Sequence, residues 1–151
     1  PEPPTPEPTS APEPPTPEPT SEPEPPTPEP TPTPTPQPLV VQITAPSAGA
    51  SISDIGATNF GAIAYDPDLG TGDGQGISQV VFRLVDPNGT TVATRTENQA
   101  TYCVFGGDAA CSTMPPGQWN NLVPGTYTLV AEARSNAGKP SVTVSVTFTM
   151  P

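Results

Sequence analysis

The sequence contains no histidine, and its only cysteines are Cys103 and Cys111. A chain without histidine and with a single cysteine pair lacks the ligand sets of the common zinc sites. It also lacks the nucleophile and base pairs on which covalent catalysis depends. We therefore expect no catalytic residue, no enzyme activity and no obligatory cofactor.

Basic residues are few as well. The formal net charge is −11, and four residues supply all the positive side-chain charge: Arg83, Arg95, Arg134 and Lys139. This balance repels phosphate backbones and anionic membranes, which excludes nucleic acid as a partner. No apolar run approaches the length that spans a bilayer, so we expect no membrane insertion. Because the sequence begins with proline and shows no signal peptide, we expect a mature or excised piece.

The two cysteines lie close together in a stretch rich in glycine, aspartate and alanine. The simplest interpretation is a Cys103–Cys111 disulfide, which would close a small loop and contribute about 2–3 kcal/mol. Two free thiols are the alternative. A disulfide indicates an oxidising compartment, so we expect the protein outside the cell or on its surface.

Proline is distributed very unevenly. Nineteen of the 27 prolines fall within residues 1–38, which we call the stalk, together with seven glutamates and no basic residue. The run Pro-Glu-Pro-Pro-Thr-Pro-Glu-Pro-Thr-Ser occurs at 1–10 and again at 12–21. Proline fixes φ and restricts the residue before it, so we expect an extended polyproline II spacer. Residues 39–151 are long enough to form one domain.

The stalk hydroxyls lie next to proline or one residue from it, the setting of O-glycosylation in mucin-like stalks. We expect attached glycans; an unmodified linker is the alternative. The candidate acceptors are Thr5, Thr9, Ser10, Thr16, Thr20, Ser21, Thr27, Thr31, Thr33 and Thr35.

From Leu39 onward, apolar and polar residues alternate between clusters of turn residues, which is the pattern of β-strands. Seven short strands in about 110 residues are typical of a β-sandwich, and we expect no helix. Asn88-Gly89 is predicted as a hairpin turn rather than a glycosylation site. The predicted strands are 39–44, 58–65, 77–85, 90–96, 101–105, 126–134 and 142–149.

The run Leu122-Val-Pro-Gly-Thr-Tyr127, followed by alternating Leu129, Ala131 and Ala133, carries a family resemblance. It resembles the turn and tyrosine corner of fibronectin-III-like and bacterial Ig-like surface domains. The resemblance covers essentially residues 39–150. It implies an all-β, immunoglobulin-like sandwich in which Leu122, Pro124, Gly125 and Tyr127 form a structural tyrosine corner. The local cysteine pair departs from the inter-sheet pair of antibody domains.

Two features are candidate sites. Asp66, Asp68 and Asp73 lie on a glycine-rich loop and would offer oxygen ligands to Ca²⁺, although aspartate and glycine serve turn geometry equally well. Trp119 would stack on a sugar if exposed, or pack in the core if buried.

These patterns favour a structural subunit or repeat unit of an extracellular fibre or cell-surface stalk that associates with copies of itself. The alternative is an accessory carbohydrate- or protein-binding adhesin module on a flexible linker. Fold resemblance does not choose between them, because β-sandwiches carry many functions.

Overall fold

The structure is a computed structural model that describes residues 1, 3–4, 31, 33–108 and 110–151. The predicted polyproline II conformation falls almost entirely on residues outside these ranges. Among the O-glycosylation candidates, Thr31, Thr33 and Thr35 are exposed. The others lie outside the described residues: Thr5, Thr9, Ser10, Thr16, Thr20, Ser21 and Thr27.

The chain divides into two units, Pro1–Thr33 and Pro34–Pro151. The sequence predicted the boundary at Pro38, so residues 34–38 belong to the second unit instead. The physical reason is that Gln37 is hydrogen-bonded to side chains of that unit.

Seven strands form the second unit. They are β1 (Val40–Ala45), β2 (Gly61–Tyr65), β3 (Ile77–Val85), β4 (Thr91–Glu97), β5 (Tyr102–Cys103), β6 (Gly125–Ser135) and β7 (Val142–Met150). One sheet has the order β1-β2-β5 and the other the order β4-β3-β6-β7, and all neighbouring strands are antiparallel. The predicted all-β sandwich of about seven strands is confirmed.

The core lies between the two sheets and follows from the alternation. Side chains at every second position of a strand point to the same face. On β3 the buried side chains are Val80, Phe82 and Leu84, and on β6 they are Tyr127, Leu129, Ala131 and Ala133. An aromatic row connects the sheets: Phe60 and Phe148 meet edge-on with ring centroids 5.4 Å apart. Phe148 stacks on Tyr127 at 5.7 Å.

Two short helical turns interrupt the strands, whereas the sequence predicted no helix. A 3-10 turn covers Ile55–Ala57, where the Asp54 carboxylate accepts the Ala57 N–H at 3.1 Å. A helix of four residues, α1, covers Pro116–Trp119. Both are single turns fixed by a local cap or a proline, so they leave no helical periodicity in the sequence.

Strand β7 lies at an edge of its sheet. Its residues Val142, Val144 and Val146 are only half-buried, while Phe148 is fully buried. The segment 49–52 runs parallel to the end of β7 and is joined to it by backbone hydrogen bonds.

No helix in the described part of the chain is long and apolar enough to cross a membrane.

Candidate functional site

The polypeptide enters the sandwich at one end, which we call the proximal pole. The register places three segments there: Gln37 just before β1, the loop 66–76 between β2 and β3, and the hairpin 136–141 between β6 and β7. The opposite end, where Met150 pairs with Gly125, is the distal pole. The proximal pole holds the three aspartates that the sequence marked as candidate calcium ligands: Asp66, Asp68 and Asp73.

Asp66 follows β2 directly and is 0% exposed. Its Oδ1 accepts the Asp68 N–H at 3.0 Å, an aspartate turn that shapes the loop. Its backbone N–H donates to the Gln75 carbonyl at 2.8 Å. Gly76 packs closely against it, since an added Cβ there would lie 2.6 Å from the Asp66 Cβ. A carboxylate buried this deeply needs a cationic partner.

Lys139 supplies that partner from the facing hairpin. Its Nζ lies 2.5 Å from Asp66 Oδ1 and 2.6 Å from Asp68 Oδ2. It also donates to the Gln37 carbonyl at 3.0 Å. Because an ammonium group has three donors, these bonds satisfy it completely. The Gln37 N–H donates to Asp68 Oδ2 at 3.0 Å, so the entering chain is held through both of its polar backbone groups.

The pKa values reflect this arrangement. The hydrogen bond from Lys139, followed by that from the Gln37 N–H, lowers the pKa of Asp68 below its usual 3.8. Burial acts to lower the pKa of Lys139, but the bonds to Asp66 and Asp68 outweigh it, and the pKa lies above its usual 10.5. The stabilisation from Asp68 is therefore present above pH 3.8 and lost as the pH falls below it. That from Lys139 is present below pH 10.5 and lost as the pH rises above it.

Replacing Lys139 by methionine should raise the pKa of Asp68 toward 3.8, because its strongest hydrogen-bond donor is removed. The Gln37 amide, bonded to the same carboxylate, reports the titration through its ¹H–¹⁵N shift. The matched control is Arg134→Met, which breaks an exposed ion pair with Glu132. It should leave the midpoint of the Asp68 titration unchanged. An unchanged midpoint in Lys139→Met would show that Lys139 does not govern the carboxylate.

The three acids predicted as calcium ligands do not form one group. Asp66 and Asp68 converge on the ammonium of Lys139, while Asp73 is exposed and its Oδ1 accepts the Ala64 N–H at 2.9 Å. Within the described residues, no set of three or more acidic, histidine or cysteine side chains is placed to hold a metal ion. Asp66 Oδ2 is buried without a hydrogen-bond partner among these residues.

Sequence reasoning missed the roles of Lys139 and Gln37. From the sequence alone, Lys139 is only one of four basic residues, and Gln37 lies within the stalk. The signal was nonetheless present in the topology. The loop after the second strand and the hairpin between the last two strands share a pole, so a lone lysine in one faces acids in the other.

The cysteine loop packs against β2. Cys103 and Cys111 form the predicted disulfide, with their Cα atoms 5.0 Å apart. Gly61 lies beneath it, and a Cβ added there would be 2.8 Å from Cys111 Sγ and 3.1 Å from the Tyr102 carbonyl oxygen. The glycine thus permits the bridge to lie directly on the strand.

The residues assigned to the tyrosine corner precede and begin β6. The Tyr127 hydroxyl donates to the Val123 carbonyl at 2.8 Å and accepts the Val123 N–H at 3.1 Å. Both bonds reach four residues back along the chain, across Pro124 and Gly125. The buried ring of Tyr127 thus fixes the turn that enters β6.

Trp119 packs against the core rather than projecting from it. It is half-buried, and α1 carries it onto the 3-10 turn, where a Cβ added at Gly56 would lie 3.2 Å from its indole ring. The indole Nε1 is buried and finds no acceptor among the described residues. Stacking on a sugar needs an open aromatic face, which this packing covers in part.

Comparison with known proteins identifies no family. No protein-family model matches the sequence, and no curated protein matches it. Among solved structures, the chain is similar to a crystal structure of an engineered protein, with 20% sequence identity and a TM-score of 0.49. The match covers 78% of this chain and 21% of that one, so the chain spans about a fifth of the structure it matches. A likeness of this size carries no information about function.

Proposed function

We propose that this chain is a non-catalytic structural unit of an extracellular fibre or cell-surface stalk. In this proposal the sandwich is a rigid, load-bearing element, and the proline-rich segment is an O-glycosylated spacer that gives it reach. Copies of the chain associate with one another to build the fibre.

The observation that carries the proposal is where the polypeptide enters the sandwich, at Gln37, and where its last strand, β7, ends. Gln37 is held at the proximal pole by Lys139 and Asp68. The last strand, β7, runs from that pole to the distal pole over nine residues, or about 30 Å. A polypeptide that enters at Gln37 therefore crosses the length of the sandwich, as a spacer connected in series requires.

The segment 49–52, which follows β1, is also bonded to the end of β7 in a geometry that resists pulling. The N–H groups of Gly49 and Ile52 donate to the carbonyls of Thr147 and Thr149 at 2.7 and 2.8 Å, and the Thr149 N–H donates to Ala50 at 2.8 Å. The segments are parallel, so pulling the two ends apart slides one along the other. All three bonds are then loaded together rather than in succession.

Two further features support an extracellular location. The described residues contain a disulfide and no free cysteine, and disulfides persist in oxidising compartments. The charge of −11 favours solubility and repels anionic surfaces. The alternative of a carbohydrate-binding module draws less support, because Trp119 is packed against Gly56 and the core.

Electron microscopy of native material tests the proposal. We expect filaments or stalks with a regular axial repeat, labelled on intact cells by an antibody to the sandwich. Intact-mass measurement of the same material should show hexose-type additions, which the proposal places on the stalk, residues 1–38. Dispersed monomers inside the cell, with no filament at any concentration, would overturn the proposal.

A further inference from the structure

The four edge strands of the sandwich differ in the features that prevent an edge from pairing with a strand of another chain. Natural edge strands are blunted by charge, proline, bulges or shortness. β1 lies between Pro38 and Pro46 and contains a register shift, and β5 has two residues. β4 carries Arg95 and Glu97 and contains a register shift at Val92. β7 has a regular register and no charge or proline from Val142 to Met150.

The atoms that β7 presents at its edge follow from its hydrogen bonds. Thr147 bonds the segment 49–52 through its outward C=O, and Thr149 bonds it through both its N–H and its C=O. Outward and inward groups alternate along a strand, so Thr143 and Ser145 also present their N–H and C=O groups outward. No described residue pairs with them. The open stretch of the edge is therefore Val142–Val146, with Val144 at its centre.

We infer that β7 is the contact between two copies of this chain, paired antiparallel about a two-fold axis at Val144. This inference rests on the proposed function and supplies its lateral contact. In this register, Thr143 of one copy lies opposite Ser145 of the other. Each such pair exchanges two backbone hydrogen bonds, so the symmetric contact makes four.

The side chains are complementary in the same register. Val142, Val144 and Val146 form a half-buried row on the face of β7 that overhangs the core. Across the axis, Val144 meets its own copy and Val142 meets Val146, which removes the row from water. Thr143 and Ser145 meet on the outer face. Because residues 142–146 carry no charge, no like-charged side chains of this stretch meet in the contact.

The proline-rich segment is a poor occupant of this edge. Nineteen of its 38 residues are proline and have no N–H to donate. It would leave outward carbonyls of β7 without donors, whereas a second β7 pairs the outward N–H and C=O groups of both Thr143 and Ser145. A two-fold contact closes on itself and makes a pair. Growth of the fibre along its length then depends on the stalk, residues 1–38.

Cysteine cross-linking of the full chain tests the register. The described residues contain no free cysteine, so one introduced thiol reports alone. Val144→Cys places the two thiols across the axis in a non-hydrogen-bonded pair, with Cα atoms about 4.5 Å apart. It should cross-link rapidly under mild oxidation. Val146→Cys, equally half-buried, faces Val142 of the other copy and should cross-link much more slowly. Equal rates would overturn the register.

Sedimentation velocity over a concentration series tests the edge itself. Ser145→Pro removes an outward N–H that the sandwich does not use, so the variant should fold but pair at least about 10-fold more weakly. Ser145→Ala keeps that N–H and should pair like the wild type. Circular dichroism checks that each variant folds. Val144→Lys is a second disruptive variant, because it places the lysines of the two copies opposite each other at the two-fold axis. A wild type that stays monomeric, or a Ser145→Pro variant that pairs normally, would overturn the inference.

The outcomes separate this inference from the proposed function. Pairs that form through Val144 without any filament would support the contact and oppose the fibre. Filaments that persist unchanged in Ser145→Pro, without cross-linking at residue 144, would support the fibre and overturn the β7 contact.

Discussion

Replacing Phe148 by alanine is expected to lower the free energy of unfolding by about 3–5 kcal/mol. Phe148 is fully buried and lies between the sheets, edge-on to Phe60 and stacked on Tyr127. Truncation removes both aromatic contacts and leaves a cavity that the sheets cannot close, because Tyr127 lies within β6 and the backbone of Phe60 is hydrogen-bonded to Val104. Urea unfolding monitored by circular dichroism measures the loss.

Val146→Ala is the matched control for this substitution. Val146 is two residues earlier on β7 and on the same face, but it is half-buried where the strand overhangs the core. We expect a loss of about 1 kcal/mol or less. Similar losses at both positions would mean that the two sheets do not pack through Phe148.

Replacing Cys103 and Cys111 together by alanine is expected to cost about 2–3 kcal/mol, because the bridge closes a short loop in the unfolded chain. Gly61→Ala in the bridged protein should also be destabilising, by about 1–3 kcal/mol, since its new Cβ would meet Cys111 Sγ at 2.8 Å.

The two changes should not be additive. Without the bridge, residue 111 is free to move away from β2, so Gly61→Ala should cost less in the cysteine-free background. Part of the cost should remain, because the Tyr102 carbonyl oxygen also lies within 3.1 Å of the added Cβ. Strictly additive losses would show that the disulfide does not pack on Gly61. Thermal and urea unfolding of the four proteins completes the cycle.

The strands were predictable because they alternate cleanly. Residues 77–85 were predicted as a strand and form β3 with those bounds, and Tyr127, Leu129 and Ala131 face the core as the pattern requires. The half-burial of Val142, Val144 and Val146 was not predictable from alternation. It depends on β7 being an edge strand, which only the sheet order reveals.

The proximal pole was predicted only in part. The acids of loop 66–76 were recognised as a candidate cation site, but the sequence pattern does not say which cation they face. That depends on the contact between residues 66 and 139, which are far apart in the chain and meet only in the folded sandwich. The disulfide was predictable because its two cysteines are close in sequence and have no competing partner.

The central claim is that the sandwich bears load between its two poles, and single-molecule force measurement tests it most directly. Pulling the full chain through its N and C termini loads the bonds between the segment 49–52 and β7 together. When the chain is pulled through the N terminus and a cysteine introduced at Gly138, the force enters at Gln37 and leaves at residue 138, both at the proximal pole, and opens contacts one after another. We predict clearly higher unfolding forces in the first geometry. Equal forces in both, or gradual extension without a discrete unfolding event, would contradict the claim.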